Sequence, residues 1–278
     1  MTDTNSPVPS IPVGSLVLVT GANGFIASSI VREFLERGYR VRGTVRDVKK
    51  NSWMSEKLFP NEAALGKFEL CEVPDLTADH AFDKALVDVS AVVHVASAMN
   101  LQADAQKMIS ETVAGTMGVV RAAAKTPSVK QFVYTSTTAT LLGYETGTPF
   151  YVTQDTWNER DPVKALEWDN TAEHSQQESM EQGVVVYAAS KTEAERALWK
   201  FVEESKPHFQ VNSVLPGAVL GRPTYEGQLH GSPGFIPALY RGEVPVVMSV
   251  VMEEREFQVP TPAPHSHTPL VPKGCNRD

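Results

Sequence analysis

The stretch that decides the fold reads Ser15-Leu16-Val17-Leu18-Val19-Thr20-Gly21-Ala22-Asn23-Gly24-Phe25-Ile26-Ala27-Ser28. Its first part is a short apolar run rich in β-branched residues, the pattern of a strand buried on both faces. Its last part opens a helix, because Phe25, Ile26, Ile30, Val31, Phe34 and Leu35 recur at helical spacing until Gly38 stops them. Between the two lies a turn with glycine at positions 21 and 24. Strand, glycine turn and helix, in that order, are the context a dinucleotide loop requires. Gly21 permits the tight turn, and Gly24 lets backbone amides approach a pyrophosphate at the positive end of the helix. Ala27 is small enough for the helix to pass close to the sheet. Gly21, Asn23, Gly24, Phe25 and Ile26 are therefore the expected cofactor cradle.

Outward from this turn, apolar runs predict further strands at 39–45, 67–73, 91–96, 131–135 and 210–215. Helical spacing predicts helices from Asp75 through Leu86, from Glu111 to Lys125 and from Val184 to about Lys206. Strands alternating with helices imply right-handed crossovers and an α/β fold, a Rossmann-type doubly wound parallel sheet. Residues 143–183 break the rhythm; they are acidic and turn-rich, carry Trp157 and Trp168, and read as an excursion over the sheet's C-terminal edge. The expected organisation is a flexible N-terminus (1–14), a nucleotide-binding domain (15–216), a small, shortened C-terminal substrate lobe (217–250) and an irregular Pro-rich tail (251–278).

Bulk properties exclude several classes. Of 278 residues, 42% are hydrophobic and 21% charged, the balance of an ordinary globular protein. A net charge of −8 argues against nucleic-acid binding, which needs a basic stripe. No apolar run approaches the ~18 residues that span a bilayer, and the first fourteen residues lack the pattern of a secretory signal. No membrane partner and a cytoplasmic location are expected. Cys71 and Cys275 lie far apart without metal spacing, and His265 and His267 have no acid or thiol cluster beside them, so no metal is expected. His94 reads as a packed core histidine, and the acids from Glu159 to Glu181 as a solvated surface.

The second strand decides the nucleotide. An NAD site places an acid near that strand's end to bind the ribose hydroxyl. Here the end reads Gly43-Thr44-Val45-Arg46, without one. Arg46 is placed to pair with a 2′-phosphate, with Lys49 or Lys50 as a second charge, which favours NADP(H) over NAD(H). Asp47 is expected to cap the next helix. Asp75 and Leu76 are candidates for the adenine, Asp75 being equally able to cap a helix. Val95, Ala96 and Ser97 are expected along the inner pyrophosphate and ribose path.

Tyr187 and Lys191 stand four apart on an expected helix, hence one turn apart on one face. A free tyrosine, with a pKa of ~10, is a poor proton exchanger at neutral pH; a neighbouring ammonium favours its phenolate. Lys191 is also able to hold the nicotinamide ribose. A hydroxyl is needed to orient a substrate oxygen, and Thr135-Ser136-Thr137-Thr138 offers four candidates.

With these pieces in place the chain resembles the extended short-chain dehydrogenase/reductase family, within it the fungal aldehyde and ketone reductases and the plant dihydroflavonol reductase-like enzymes. The resemblance runs from about Leu16 to Arg241 and rests on TGANGFIAS, VRGTVRD, FVYTST, DTWN, VYAASKTEAE and PGAVLG. It implies that Thr137 is the catalytic hydroxyl, with Ser136 as the alternative, beside catalytic Tyr187 and Lys191. It also implies that Pro216, Gly217 and Val219 lie beside the nicotinamide carboxamide. Extended members continue further at the C-terminus; here the resemblance fades after Arg241, as for a truncated product or a differently spliced frame.

The implied activity is NADPH-dependent reduction of an aldehyde or ketone, reversible as alcohol oxidation, by a monomer or a homodimer formed through helices 104–125 and 184–206. A nucleotide-sugar epimerase-like enzyme is the alternative of the same fold, although Thr138-Ala139-Thr140 lacks the acid pair a dehydratase would need. A non-catalytic NADP-binding protein is the alternative of another class.

Overall fold

The computed structural model of the chain describes residues 10–97, 104–143, 151–168, 174–230 and 232–243. The expected tail, with Cys275, His265 and His267, lies outside the described residues, as do residues 1–9 of the N-terminus and 244–250 of the lobe.

Leu16–Val19 form β1, with every side chain buried. The two-residue period of a strand then sorts them. Leu16 and Leu18 enter one apolar cluster, and Val17 and Val19 the cluster on the opposite face. Around β1 stand β2 (Arg40–Val45), β3 (Phe68–Glu72), β4 (Val89–His94), β5 (Gln131–Thr135) and β6 (Gln210–Val214). Among the described residues they make one parallel sheet in the order β3-β2-β1-β4-β5-β6. This is the doubly wound order whose reversal between the first and fourth strands opens a ligand crevice at their C-terminal ends.

Helix α1 (Phe25–Glu36) covers one face, and α3 (Ala105–Ala124) and α5 (Gln176–Ser205) the other; α2 (Pro60–Ala64), α4 (Arg160–Leu166) and α6 (Phe235–Tyr240) are short. Met108 of α3, Ala165 of α4 and Val185, Val186 and Ala189 of α5 close a third cluster. Helix α5 is about 45 Å long at 1.5 Å per residue. Among the described residues no helix is long and apolar enough to cross a membrane.

Three expected boundaries move. Residues 75–86 form turns rather than a helix. His80 (φ 62°) and Asp88 (φ 63°) take left-handed backbone that interrupts any helix, although Phe82, Ala85 and Leu86 still reach the core. Helix α3 starts six residues before Glu111, where Asp104 accepts a hydrogen bond from Lys107 N. Helix α5 starts eight residues before Val184, at a capping box: Ser175 accepts from Glu178 N while Glu178 accepts from Ser175 N.

Leu18 is fully buried between β1 and the α3–α5 face. Replacing it by alanine should cost about 2–5 kcal/mol, read as a lower urea midpoint with an unchanged slope.

Candidate active site

The glycine turn is held from both neighbouring strands. Val19 pairs in register with Gly43 of β2 and with Val93 of β4. Gly21 N donates to Thr44 Oγ1 at 3.2 Å and Ala22 N to Thr44 O at 2.9 Å. Gly21 has φ +64°, and a Cβ there would lie 3.1 Å from Ala96; strain and crowding both call for glycine. Gly43 is needed for space alone, since a Cβ would meet Ala22 Cβ at 2.6 Å. Gly24 caps α1 without a side chain, and no acid occupies the helix's first turn. Asn23 and Gly24 are exposed and Phe25 and Ile26 half-buried, so the amide end of α1 stays open to an anion.

One buried hydroxyl ties β1 to β4. Thr20 Oγ1 accepts from Val95 N and Ala96 N, both at 3.0 Å, and lies 2.8 Å from His94 Nδ1. With two amides donating to it, that hydroxyl gives its own proton to Nδ1, which leaves His94 as the neutral Nε2–H tautomer. Burial, aided by the Lys191 charge, pushes the His94 pKa down to about 3. His94 is the packed core histidine expected. Beside it, Ser97 Oγ is buried and has no hydrogen-bond partner among the described residues.

At the end of β2, Arg46 is exposed, and no salt bridge engages it among the described residues. Lys50 is drawn toward Asp47, its Nζ 3.8 Å from Oδ2 and its N–H bonded to Oδ1 at 3.0 Å. Asp47 thus caps the turn that follows β2. Asp75 is exposed and accepts from both Thr77 N and Thr77 Oγ1, which hold its pKa below the usual carboxylate range. It caps a turn, not the helix expected there. Leu76 packs toward α3, where a Cβ at Gly115 would meet it at 3.4 Å.

Tyr187 and Lys191 of α5 face the exit of β5. Lys191 is 3% exposed, donates to Thr135 O at 2.8 Å and lies 4.3 Å above the centre of the Tyr134 ring. Burial brings its pKa down to about 8, with Glu195 opposing. Tyr187 lies beside the Thr137 hydroxyl, which favours its ionised form, but burial outweighs that influence and raises its pKa. The sequence-based expectation that the Lys191 ammonium lowers the phenol's pKa therefore does not describe this geometry: the ammonium is committed to Thr135 O and the Tyr134 face. Thr137 is half-buried beside Tyr187, whereas Ser136 is buried and donates to Glu195. Pro216 O accepts from Thr138 N at 3.0 Å, and a Cβ at Gly217 would lie 3.9 Å from Thr138 Oγ1, which brings the segment after β6 to the same place. Val219 O accepts from Ser232 Oγ at 2.8 Å.

Sequence reasoning passed over several contacts. Asp161 is 1% exposed, not part of a solvated acidic face; Asn158 Nδ2 donates to it at 2.7 Å and to Ala139 O at 2.8 Å. Trp157 lies under Arg196, and Tyr151 is exposed. The 224–228 segment reaches back to the glycine turn. Gln228 Nε2 donates to Asn23 O at 3.1 Å and Ser28 Oγ at 3.0 Å, while Tyr225 stacks on Trp53 at 4.3 Å. Among the described residues no group of three or more His, Cys, Asp or Glu is arranged for a metal ion.

This combination of sheet order, glycine turn and Tyr–Lys helix defines a nucleotide-dependent enzyme class, and comparison gives its family. Residues 17–257 match the NAD dependent epimerase/dehydratase family, and the chain belongs to it. It is 37% identical over 243 residues to aldehyde reductase 2 of Sporidiobolus salmonicolor, covering 87% of this chain and 68% of that protein. A ketoreductase of Penicillium roqueforti is 38% identical over 236 residues, covering 84% of this chain and 65% of its own. The solved structure of yeast methylglyoxal/isovaleraldehyde reductase Gre2 complexed with NADPH superposes with a TM-score of 0.63 at 27% identity, over 77% of this chain and 61% of that one. The chain thus spans between 61% and 68% of the length of these relatives.

His94 gives the site a pH signature. Its folded pKa lies below the ordinary value of 6.5, so as pH falls from 6.5 the unfolded chain binds a proton that the folded chain refuses. Stability should fall toward low pH by up to about 1.4 kcal/mol per unit from this group alone. Urea unfolding between about pH 6.5 and 4 should show a shallower loss for His94→Asn than for the unaltered protein.

Proposed function

We propose that this protein is an NADPH-dependent reductase of an aldehyde or ketone, able to run in reverse as an alcohol dehydrogenase. The observation that carries the reading is the meeting of the Tyr187 phenol, the Thr137 hydroxyl and the buried Lys191 ammonium at the C-terminal end of β5, in the sheet whose central strand ends at the glycine turn. The residues fit the coenzyme. The open amide end of α1 suits a pyrophosphate, the orphaned Ser97 hydroxyl offers a hydrogen bond along the groove, and exposed Arg46 suits a 2′-phosphate.

NADPH, when bound, supplies the hydride for the carbonyl carbon. Tyr187, kept a neutral phenol by burial, donates its proton to the carbonyl oxygen. Thr137 donates a hydrogen bond to the same oxygen and fixes its approach. Lys191, anchored on Thr135 O and the Tyr134 face, would hold the nicotinamide ribose, and its pKa of about 8 keeps it charged through neutral pH. Asn23, Gly24, Phe25 and Ile26 would hold the pyrophosphate, with Val95 and Ala96 along the ribose path; Asp75 and Leu76 would border the adenine side. Pro216, Gly217 and Val219 would flank the nicotinamide end. The acids that sugar dehydration would require are absent from Thr138-Ala139-Thr140.

Loss of NADPH absorbance with a panel of aldehydes and ketones tests the activity directly; turnover of none of them would overturn it. Tyr187→Phe should lower kcat by roughly 10²–10⁴-fold while the NADPH Kd, read by nicotinamide fluorescence, stays nearly the same. Arg46→Glu should weaken NADPH by about tenfold or more and leave NADH binding little changed; equal loss of both would remove the 2′-phosphate assignment.

A further inference from the structure

Glu195 lies one helical turn beyond Lys191 and is fully buried. Its Oε2 accepts from Ser136 Oγ at 2.5 Å and Thr140 Oγ1 at 2.9 Å; its Oε1 accepts from Ser213 Oγ at 2.7 Å and Trp199 Nε1 at 3.3 Å. Every one of these partners donates, which suits a carboxylate, an acceptor through both oxygens. Ser136 and Thr140 bracket Thr137 in sequence. Both hydroxyls are pulled toward α5, and the Thr137 hydroxyl between them lies against Tyr187. Thr140 Oγ1 also lies 3.0 Å from Thr137 O, its single proton shared between that carbonyl and Glu195, so the same side chain stays close to the residue it flanks.

We propose that Glu195 is a positioning residue: by drawing Ser136 and Thr140 inward it selects Thr137 as the hydroxyl presented to Tyr187, and it locks the exits of β5 and β6 to the helix carrying Tyr187 and Lys191. Charge adds a second effect. Among the described residues, the titratable groups around Lys191 are Tyr187 and Glu195 on α5, Tyr134 on β5 and His94 on β4. Burial keeps His94 and Tyr134 uncharged at neutral pH and makes Tyr187 a weaker acid. That leaves Glu195 as the group that favours the Lys191 ammonium against its own burial. The kinetic part of this inference rests on the reductase reading; the titration part does not.

Two variants separate positioning from packing. Glu195→Gln keeps the shape and removes the charge; Thr140→Val removes one donor and keeps the charge. In protein without coenzyme, carbon NMR of labelled lysine, with Lys191 assigned by its loss in Lys191→Met, should show Lys191 titrating about one unit lower in Glu195→Gln and unshifted in Thr140→Val. Both variants should lose about tenfold or more in kcat for carbonyl reduction, with KM for NADPH within about twofold. Lower Tm values with unchanged kcat and an unshifted Lys191 titration would make Glu195 a packing group and overturn the proposal. Should Glu195→Gln fail to fold, the kcat-against-KM split in Thr140→Val decides. Should the unaltered protein reduce no carbonyl compound, the reductase reading falls, and the lysine titration alone decides the role of Glu195.

Discussion

The contact between the ends of β1 and β4 is the constraint on which the rest depends. Gly21 passes so close to Ala96 that a single methyl group would crowd it, and the Thr20 hydroxyl stitches the two strands by accepting from two β4-side amides. A hydroxyl saturated in this way needs somewhere to send its own proton, and a buried neutral imidazole is that place. The positive Lys191 is tolerated nearby because it lies on the Tyr134 ring face and on a carbonyl oxygen. The glycine turn and the Tyr134–Lys191 contact are thus two ends of one buried network, joined through Thr20 and His94.

Much of this was legible in the amino acids. Strand β1 announced itself by four apolar residues, α1 by its spacing and Gly38, and the parallel doubly wound sheet by the alternation of strands and helices. Tyr187 and Lys191 were visible as a pair because a helix puts residues four apart on one face. The same stripe continues to Glu195, yet a lone Glu in a charged-looking helix reads as surface, and nothing local reveals that Ser136 and Thr140, from the segment after β5, and Ser213, from β6, converge on it. Asp161 was misread for the same reason: its partner Asn158 is three residues away, but the burial comes from a separate loop.

Other misses were local and readable. Ser175-Gln176-Gln177-Glu178 is a capping box in plain sequence, and it starts α5 where an acidic excursion was expected. The segment 75–86 misled in the opposite direction. Its apolar residues keep helical spacing, but a left-handed residue that is not glycine, His80, turns the chain there, and Asp88 does the same just beyond. Periodicity records which residues go inward, not by which backbone path they arrive. Charge behaved similarly: the sequence places Lys191 one turn from Tyr187, while folding aims its ammonium at a different tyrosine.

The clasp of Gln228 on Asn23 and of Tyr225 on Trp53 has a practical meaning for protein engineers. Gln228 reaches back about two hundred positions to hydrogen-bond Asn23 and Ser28, so libraries randomised across 224–228 would also disturb the opening turn of α1. Changes made to the late loop should therefore be checked for their effect on the glycine turn, because one side-chain amide ties the two together.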